Sequence, residues 1–515
     1  MKKIRRALIS VSDKTNLIPL AKALREFGIE IYSTGGTLQV LAQAEIPVHS
    51  LESYTGFPEM LSGRLKTLHP KIHAGILARR DNEEDRKALE NYNILTFDLV
   101  VVNLYPFEEV ISRDKFSFEE AIENIDIGGP AMIRAAAKNY QYVAVVVDPS
   151  QYERLIEELR ANQGATSESF RFSLMTEAFS RTASYDIAIA QYLMAIEGSE
   201  SFPRLHLSLS LKQALRYGEN PHQKAGFYIS TGREDLPWQQ IHGKELSYNN
   251  ILDLDIALKV GMEFRESVCA IFKHTNPCGL AAGGSQKENL QRAIACDPVS
   301  FFGGIVLINE VIHEETAAIL AEHFLEIVVA PGFSEAAFNI LSKKKNLRLI
   351  VVPEMSHLRS NPRELRSAAG GFLVQTSDSA FVESSQLQIV SNAKPDDRLL
   401  EEMLFAFQVV KYIKSNAVVF TRDKMTLGIG AGQMSRVDAV RFAIEKSKAQ
   451  NLSLQGSVLA SDAFFPFRDG VDLAIASGVR AIIQPGGSLR DEESIQAANQ
   501  AGIVMAFTGI RHFRH

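Results

Sequence analysis

The sequence predicts an α/β protein in which a doubly wound parallel sheet is followed by a duplicated α/β domain. Short apolar segments alternate with amphipathic helical segments over residues 1–150, a pattern typical of parallel sheets. A strand-to-turn pattern recurs in the C-terminal part. With 515 residues, the chain is also too long for one core, since single cores stop growing at about 250–300 residues.

Four short apolar segments predict the strands of the first sheet: 7–11, 29–32, 98–103 and 142–147. Between the first two, Leu17, Leu20, Leu24 and Phe27 recur at helical spacing. Residues 150–197 read as helical, with a long helix over 167–196. We place a domain boundary near residue 200, giving domains 1–199 and 200–515.

The second domain contains an internal repeat. Residues 327–334 (IVVAPGFS) resemble residues 481–488 (AIIQPGGS), and the apolar segments 268–272 and 417–420 each lead into a polar, glycine-containing loop. A repeat this long indicates two copies of a subdomain, roughly 200–365 and 366–515. Chance similarity of strand–Pro–Gly turns is the alternative.

Composition excludes several classes of protein. Lys and Arg number 55 against 61 Asp and Glu, a net charge of −6, so we expect no nucleic-acid partner. Three cysteines are too few for a disulfide framework. The apolar runs are too short for a membrane span or a signal h-region. We therefore expect a soluble, cytoplasmic protein without membrane contact.

Three loops of the first domain combine hydroxyl groups, glycines and cations. Residues 33–37 (STGGT) lie between a strand and a helix, where backbone N–H groups can hold a phosphate. Residues 10–14 (SVSDK) end the first strand, and residues 63–71 add Arg64 and Lys66. They match neither the Walker A nor the dinucleotide-binding fingerprint. A phosphate site and a set of capped, solvated turns both remain possible.

Acid–base groups follow the third strand. Tyr105 comes just after it, Asp126 opens a helix, and Lys138 lies further along that helix. Such groups near a phosphate can move protons. The alternative is a helix N-cap with solvated charges.

In the second domain, residues 270–279 (AIFKHTNPCG) bring an adjacent Lys273–His274 pair from a buried strand into a polar loop. His274 is a candidate base. Pro277-Cys278 suggests the deaminase zinc signature, but Ala281 stands where the second cysteine would be, so we expect no zinc. Residues 428–436 are rich in glycine, residues 461–467 hold three aromatic rings that could stack on a heterocycle, and we expect the terminus to be docked.

Taken in order, these motifs resemble the AICAR transformylase/IMP cyclohydrolase family of bifunctional purine-biosynthesis enzymes. The resemblance covers essentially the whole chain. The motifs are SVSDK, STGGT, GRLKTLHPKIHAGIL, NLYPF, DIGGPAMIRAAAKN, LRYGENPHQ, FKHTNPCG, GIGAGQMSR, SDAFFPFRD and the RHF ending. One departure is Phe301, where the family usually has alanine.

The resemblance implies that the first domain has a methylglyoxal-synthase-like fold. It would close the purine ring of the 5-formamido ribonucleotide, FAICAR, to give IMP with loss of water. Lys66 would stabilise the oxyanion, and Asp126 with Tyr105 and Lys138 would move protons. The implied substrate-binding residues are Ser10, Ser12, Lys14, Ser33, Thr34, Gly35, Arg64, Thr67 and Gly128.

It also implies that the second domain consists of two deaminase-like subdomains without zinc and transfers a formyl group from 10-formyltetrahydrofolate to AICAR. His274 would be the base, Lys273 would stabilise the tetrahedral oxygen or protonate the folate nitrogen, and Asn416 would orient the formyl group. The implied AICAR-binding residues are Arg216, Tyr217, Asn250, Ser435, Arg436, Arg511, Phe513, Arg514 and His515. The implied folate-binding residues are Phe302, Gly303, Phe464 and Pro466. A homodimer with shared transformylase sites is implied too.

Two other functions fit parts of the sequence. A single-activity phosphosugar lyase of the methylglyoxal-synthase type would leave residues 200–515 without a role. A nonenzymatic nucleotide-binding regulator would need neither Lys273 and His274 nor Lys66, Asp126 and Lys138.

Overall fold

The computed structural model describes residues 1–113, 115–198, 204–231, 235–358 and 363–515. The chain forms two compact units, Met1–Ser210 with Ile229–Glu234, and Leu211–Tyr228 with Asp235–His515. The predicted domain boundary at residues 199 and 200 lies outside the described residues.

The first unit is built on a five-stranded parallel sheet with strand order β4-β3-β2-β5-β6. Its strands are β1 Lys2–Lys3, β2 Arg6–Val11, β3 Glu30–Ser33, β4 His49–Ser50, β5 Leu99–Asn103, β6 Ala144–Val146 and β7 Ala165–Thr166, of which β1 and β7 form a separate pair. The four predicted strands are confirmed. The edge strand β4 was missed because it has only two residues and no apolar run.

Helices cover both faces of this sheet. They are α1 Leu17–Glu26, α2 Gly35–Gln43, α3 Leu51–Thr55, α4 Pro70–Leu77, α5 Glu83–Asn91, α6 Phe107–Ser112, α7 Phe118–Glu123, α8 Gly128–Lys138, α9 Tyr152–Ala161 and α10 Glu168–Glu197. The predicted long helix is α10, whose N-cap Ser167 accepts a hydrogen bond from the N–H of Phe170. Fully buried apolar strand residues such as Leu8 and Val100 form the core.

The second unit contains one sheet of twelve strands. The strands from here to the C-terminus are β8 Leu209–Leu215, β9 Ala225–Ser230, β10 Gln239–His242, β11 Val268–Lys273, β12 Asn276–Ala282, β13 Ile305–Ile308, β14 Ile327–Ala330, β15 Arg348–Val351, β16 Arg363–Ala368, β17 Gly371–Thr376, β18 Gln388–Ile389, β19 Val418–Arg422, β20 Met425–Gly430, β21 Val458–Ser461, β22 Ala481–Gln484 and β23 Val504–Phe507. β8 pairs with β9 and β16 with β17, outside the large sheet.

The helices of this unit flank its sheet. They are α11 Tyr248–Glu263, α12 Gln286–Cys296, α13 Pro298–Phe301, α14 Glu314–Glu322, α15 Glu335–Leu341, α16 Asp397–Val410, α17 Arg436–Ala449, α18 Asp469–Ala476 and α19 Asp491–Ala501. In the part of the chain that the structure describes, none of the helices is long and apolar enough to cross a membrane.

The predicted duplication is visible in the strand order, β10-β15-β14-β13-β11-β12-β20-β19-β21-β22-β23-β18. Read outward from the centre, the two halves have the same order and the same strand directions. β12 and β20 meet antiparallel at Ala281 and Met425, so a pseudo-twofold axis passes between them. The halves share one sheet and one large core. The predicted subdomain boundary between residues 365 and 366 falls inside β16.

Candidate active sites

The first site lies at the carboxyl edge of the parallel sheet, where β2, β3 and β5 end. Hydrogen bonds fix the loops that leave these strands. Thr37 of α2 accepts from the N–H of Val11 at 3.1 Å and donates to its carbonyl at 3.0 Å. Asn103 Oδ1 accepts from the N–H of Ser12 and of Asp13, at 2.5 and 2.9 Å.

Two lysines lie against the start of α2. A Cβ atom placed on Gly35 would be 3.5 Å from Nζ of Lys66, and one on Gly36 would be 3.9 Å from Nζ of Lys14. The first N–H groups of a helix have no partner within it, and its dipole is positive there. Two ammonium groups beside those N–H groups can therefore hold a phosphate.

A second helix start, that of α8, lies beside Thr67, the residue after Lys66. A Cβ on Gly128 would come within 2.7 Å of Oγ1 of Thr67, the buried neighbour of Lys66. Only glycine fits this approach. The loop that carries Lys66 therefore touches the N-terminus of α8 through Thr67.

Asp126 lies at this second helix start. Its Oδ1 accepts from the N–H of Gly129 at 2.8 Å. Burial raises the pKa of Asp126, while hydrogen bonds from the backbone N–H groups of Gly129 and Tyr105 partly oppose the rise. A carboxyl group with a raised pKa can hold a proton nearer to neutral pH, as acid–base chemistry requires.

The structure separates other predicted residues from this cluster. Lys138 lies at the far end of α8, about 15 Å from Gly128 at the helical rise per residue. Arg64 pairs with Glu123 on the surface. The hydroxyl of Ser33 is buried and donates to the carbonyl of Ile9 at 2.7 Å. By contrast, Ser10 lies half-buried near the end of β2, and Ser12 and Thr34 lie half-buried just after β2 and β3, at the sheet edge that holds the site.

Sequence reasoning missed two residues that support this site. Glu59 forms a salt bridge with Lys66 at 2.9 Å. Tyr185 of α10 accepts from the N–H of Asp126 at 2.8 Å and donates to the carbonyl of Asn124 at 3.0 Å. A cavity of about 290 Å³ adjoins the cluster, lined by Thr55, Phe57, Leu65, Lys66, Leu68, His69 and Pro70. Because Tyr185 lies 59 residues from Asp126 along the chain, nothing in the local sequence indicated their contact.

The second site lies around the hairpin that joins β11 and β12. The sequence predicted a loop after Lys273, but the chain turns on two residues, His274 and Thr275, and Asn276 already begins β12. Both turn residues have positive φ, 52° and 60°, as a tight type I′ hairpin requires. A β-bulge after Ile271 accommodates Pro277 in the strand.

A half-buried carboxylate supports this turn. Oδ1 of Asp253, on α11, accepts from the N–H of Thr275 at 2.5 Å. Burial raises the pKa of Asp253, and the hydrogen bond from Thr275 and the nearby His274 partly oppose the rise. Lys273, the residue before the turn, instead donates to the carbonyl of Phe302 at 2.7 Å. His274 is left exposed at the tip.

Asn416 is held rigidly beside the hairpin. Its Nδ2 donates to the carbonyl of Gln433 at 2.8 Å, and its Oδ1 accepts from Arg436 at 2.9 Å. Arg436 is itself buried and forms an ion pair with Asp462. The neighbouring Lys414 N–H donates to Oδ1 of Asn276 at 2.8 Å, which links this segment to the hairpin.

The C-terminus is docked on the same hairpin, as predicted. Arg514 donates to the carbonyls of Thr275 and Tyr412, at 2.7 and 2.9 Å, and its own carbonyl accepts from the N–H of Ser415 at 2.8 Å. The guanidinium of Arg511 lies 4.7 Å from the ring centroid of Phe513. Phe513 and His515 are exposed at the end of this tail.

Aromatic side chains flank the hairpin as well. Phe302 is 63% exposed and its ring centroid lies 5.1 Å from that of Phe324, whose carbonyl accepts from the N–H of Gly303. Phe464 and Pro466 are exposed after β21. Phe301 turns away into the core, so the departure from the family pattern lies outside this surface.

Three predicted residues have local partners. Asn250 is buried in a capping box with Ser247. Ser435 caps α17 and donates to Asp438 at 2.6 Å. Arg216 stacks on Tyr217, with 4.7 Å from guanidinium to ring centroid. Among the described residues, none of the His, Cys, Asp and Glu side chains form a group of three or more that could hold a metal ion.

Comparisons with known proteins cover the whole chain. The family described as AICARFT/IMPCHase bienzyme matches residues 136–446, and the MGS-like domain matches residues 16–131. A protein described as bifunctional purine biosynthesis protein PurH, from Rhodospirillum rubrum, is 51% identical over 99% of both chains. A solved structure described as "Crystal structure of ForH" is 34% identical over 37% of this chain and 97% of its own, with a TM-score of 0.35. The full-length match does not favour the lyase or regulator alternatives, and the chain belongs to the AICARFT/IMPCHase bienzyme family.

Proposed function

We propose that this chain transfers a formyl group from 10-formyltetrahydrofolate to AICAR and then cyclises the product, FAICAR, to IMP with loss of water. The observation that carries the proposal is the presence of two separate sets of reactive side chains, one in each unit: Lys66 with Asp126, and Lys273 with His274. Membership of a family of bienzymes supports assigning one reaction to each set.

In the second unit, the 5-amino nitrogen of AICAR attacks the formyl carbon carried on N10 of the folate. His274 takes the proton from that nitrogen as the new N–C bond forms. The bond from N10 to the formyl carbon then breaks, and N10 receives a proton. Lys273 stabilises the tetrahedral oxygen or supplies this proton. Asn416, fixed by Gln433 and Arg436, orients the formyl group.

In the same unit, Arg216, Tyr217 and the exposed ends of the C-terminal tail bind AICAR, and the exposed rings of Phe302 and Phe464 face the folate. Arg436 is almost fully buried, so its role is to position Asn416. Asn250 and Ser435 act in the same indirect way, because they cap the helices that border the site.

In the first unit, the carboxamide nitrogen of FAICAR attacks its own formyl carbon, and the formyl oxygen leaves as water. Because the reaction is intramolecular, positioning supplies much of the acceleration. The N-terminus of α2 with Lys14 holds the phosphate, and Lys66 stabilises the developing oxyanion. Asp126 carries one proton from the carboxamide nitrogen to the formyl oxygen. The formamido nitrogen gives up the second proton as its double bond to the formyl carbon forms and water leaves.

We further propose a cytoplasmic homodimer whose ligands are small molecules. Lys138 and Arg64 lie away from the Asp126 cluster in one chain. Their roles in cyclisation therefore require a substrate that extends toward them or a second chain. Analytical ultracentrifugation of the pure protein tests the dimer, and a monomeric protein with full activity would refute it.

The deciding experiment supplies AICAR and 10-formyltetrahydrofolate and measures tetrahydrofolate and IMP separately. We expect His274→Ala to stop formyl transfer while supplied FAICAR is still cyclised, and Lys66→Ala to do the reverse. His313→Ala and Lys22→Ala, at exposed positions, are the matched controls. Loss of both activities in both folded variants would contradict the two-site proposal.

A further inference from the structure

The pseudo-twofold axis of the second unit relates the cleft at the His274 hairpin to a second cleft, which lies at the opposite end of the β12–β20 junction. Its turn joins β19 and β20 and consists of Asp423 and Lys424, which have φ angles of 52° and 54°. This turn is the counterpart of His274–Thr275. Both are two-residue turns of positive φ at the same place in the two halves.

The support beneath the two turns is duplicated too. Glu402 of α16 accepts from the N–H of Lys424 at 2.7 Å, as Asp253 of α11 accepts from the N–H of Thr275 at 2.5 Å. Burial raises the pKa of both carboxyl groups. The framework that presents His274 is therefore intact in the second cleft.

The side chains on this framework differ. Arg422 and Asp423 take the places of Lys273 and His274, so the position of the proposed base carries a carboxylate. A cavity of about 360 Å³ lies here, within the usual size of small-molecule sites. Five cationic residues line it, Arg292, Arg398, Arg422, Lys424 and Arg480, together with four acidic ones, Glu266, Glu401, Glu402 and Asp423.

Part of this positive charge is offset by neighbouring carboxylates, because Lys424 pairs with Glu266 at 2.8 Å and Arg480 with Asp396 at 3.5 Å. The remaining cations are less firmly paired. Arg292 donates to the carbonyls of Ala282 and Asp423 and forms no salt bridge within the described residues. Arg422 donates to two carbonyls, at 2.7 and 2.9 Å. The pair of Arg398 with Asp423 is exposed, with side chains 85% and 63% accessible, and such pairs contribute little. A bound anion can therefore take the place of Asp423 as the partner of Arg398 at little cost in free energy.

We infer that this second cleft, defined by Arg292, Arg398, Arg422, Lys424 and Arg480, binds a small phosphate-bearing anion without transforming it. Its guanidinium groups suit phosphate oxygens, which they can contact in pairs. The site is separate from the His274 cleft, and its occupancy does not depend on the reactions proposed above.

The test is calorimetric titration of the full chain with inorganic pyrophosphate at low ionic strength, with hydrogen–deuterium exchange to locate binding. We expect protection at residues 422–424 and at least a tenfold weaker affinity at this location in the double variant Arg398→Glu/Arg480→Glu. Arg441→Glu, an exposed charge reversal on α17, is the matched control and retains the affinity.

Formyl transfer and cyclisation should be unchanged in all these variants, which also shows that they are folded. If the double variant fails to fold, Arg398→Ala replaces it, with a smaller expected loss. The inference is overturned if residues 422–424 gain no protection in the unaltered chain, or if the double variant and Arg441→Glu bind pyrophosphate equally well at that turn.

Discussion

Asp126 shows how burial can serve chemistry at the cost of stability. Its pKa is raised above the ordinary value of 3.8 because the carboxyl group is desolvated. The folded chain therefore holds this proton more tightly than the unfolded chain does. As the pH rises from about 4 through the raised pKa, deprotonation favours the unfolded state, and stability is lost.

Replacing Asp126 with asparagine removes this pH dependence, because the amide oxygen can still accept from Gly129 but does not ionise. We expect the stability of Asp126→Asn relative to the unaltered chain to increase as the pH rises from about 4 through the raised pKa of Asp126, and cyclisation to fall by at least a hundredfold. Urea midpoints across this range measure the first effect, with the exposed Asp186→Asn as control. A difference that is constant with pH would contradict the assignment.

Tyr185 illustrates what the sequence could not reveal at this scale. The sequence supported a common site for Lys66 and Asp126, because loops with hydroxyl and cation chemistry could converge on one phosphate and Asp126 opens a predicted helix near a strand end. Thr67 was implied only by the family resemblance. Tyr185 and Asp253 come from helices distant along the chain from their partners, Glu59 lies in a loop without a recognisable motif, and nothing in their local sequence marks them. Their roles depend on tertiary packing.

Removing the Tyr185 hydroxyl leaves a buried donor and acceptor unpaired. Burial raises the pKa of Tyr185 to about 12, so the group remains a donor at any physiological pH. We expect Tyr185→Phe to lower the free energy of unfolding by about 1–3 kcal/mol and to slow cyclisation without affecting formyl transfer. Tyr92→Phe, at an exposed position, should have neither effect. Normal cyclisation by Tyr185→Phe would show that this hydroxyl does not position Asp126.

At the scale of elements, the β11–β12 hairpin is the clearest difference between expectation and structure. The apolar segment 268–272 predicted β11, but Pro277 and Gly279 favoured a loop after Lys273. Pairing of β12 with β11 and, at Ala281, with β20 overrides that local preference, and the bulge after Ile271 absorbs the proline. The result is a tight turn that His274 occupies, stabilised by Asp253 from below and by the C-terminal tail.

The contribution of the C-terminal tail to the stability of the His274 turn can be tested separately from substrate binding. Arg514 is largely buried and bonds the carbonyl of Thr275, so Arg514→Ala should loosen the turn. We expect kcat for formyl transfer to fall about tenfold or more while cyclisation of supplied FAICAR is unchanged. Arg468→Ala, on the exposed start of α18, is the control. Equal loss of both activities would mean that the tail stabilises the chain generally.

At the scale of the whole molecule, the repeat correctly predicted two copies but not how they combine. Each copy contributes six strands to a continuous sheet, and α11 and α16 pack into the same core through Leu254, Ile256, Met403 and Phe405. The sequence pattern of the strands cannot show this. Each copy has the same alternation of strands and helices whether the two copies join edge to edge or form separate sheets. The pairing of β12 with β20 decides it.

This shared core predicts where the chain can be divided. A fragment of residues 1–198 keeps its own core, and a fragment of residues 211–515 keeps the whole twelve-stranded sheet, so both should melt cooperatively by circular dichroism. A fragment of residues 377–515 should not, because it exposes the face of α16 that packs against the first copy and leaves β20 as an unpaired edge. Mixing it with residues 211–376 should restore cooperative melting. Cooperative melting of 377–515 alone would show instead that the copies fold independently and only later join their sheets.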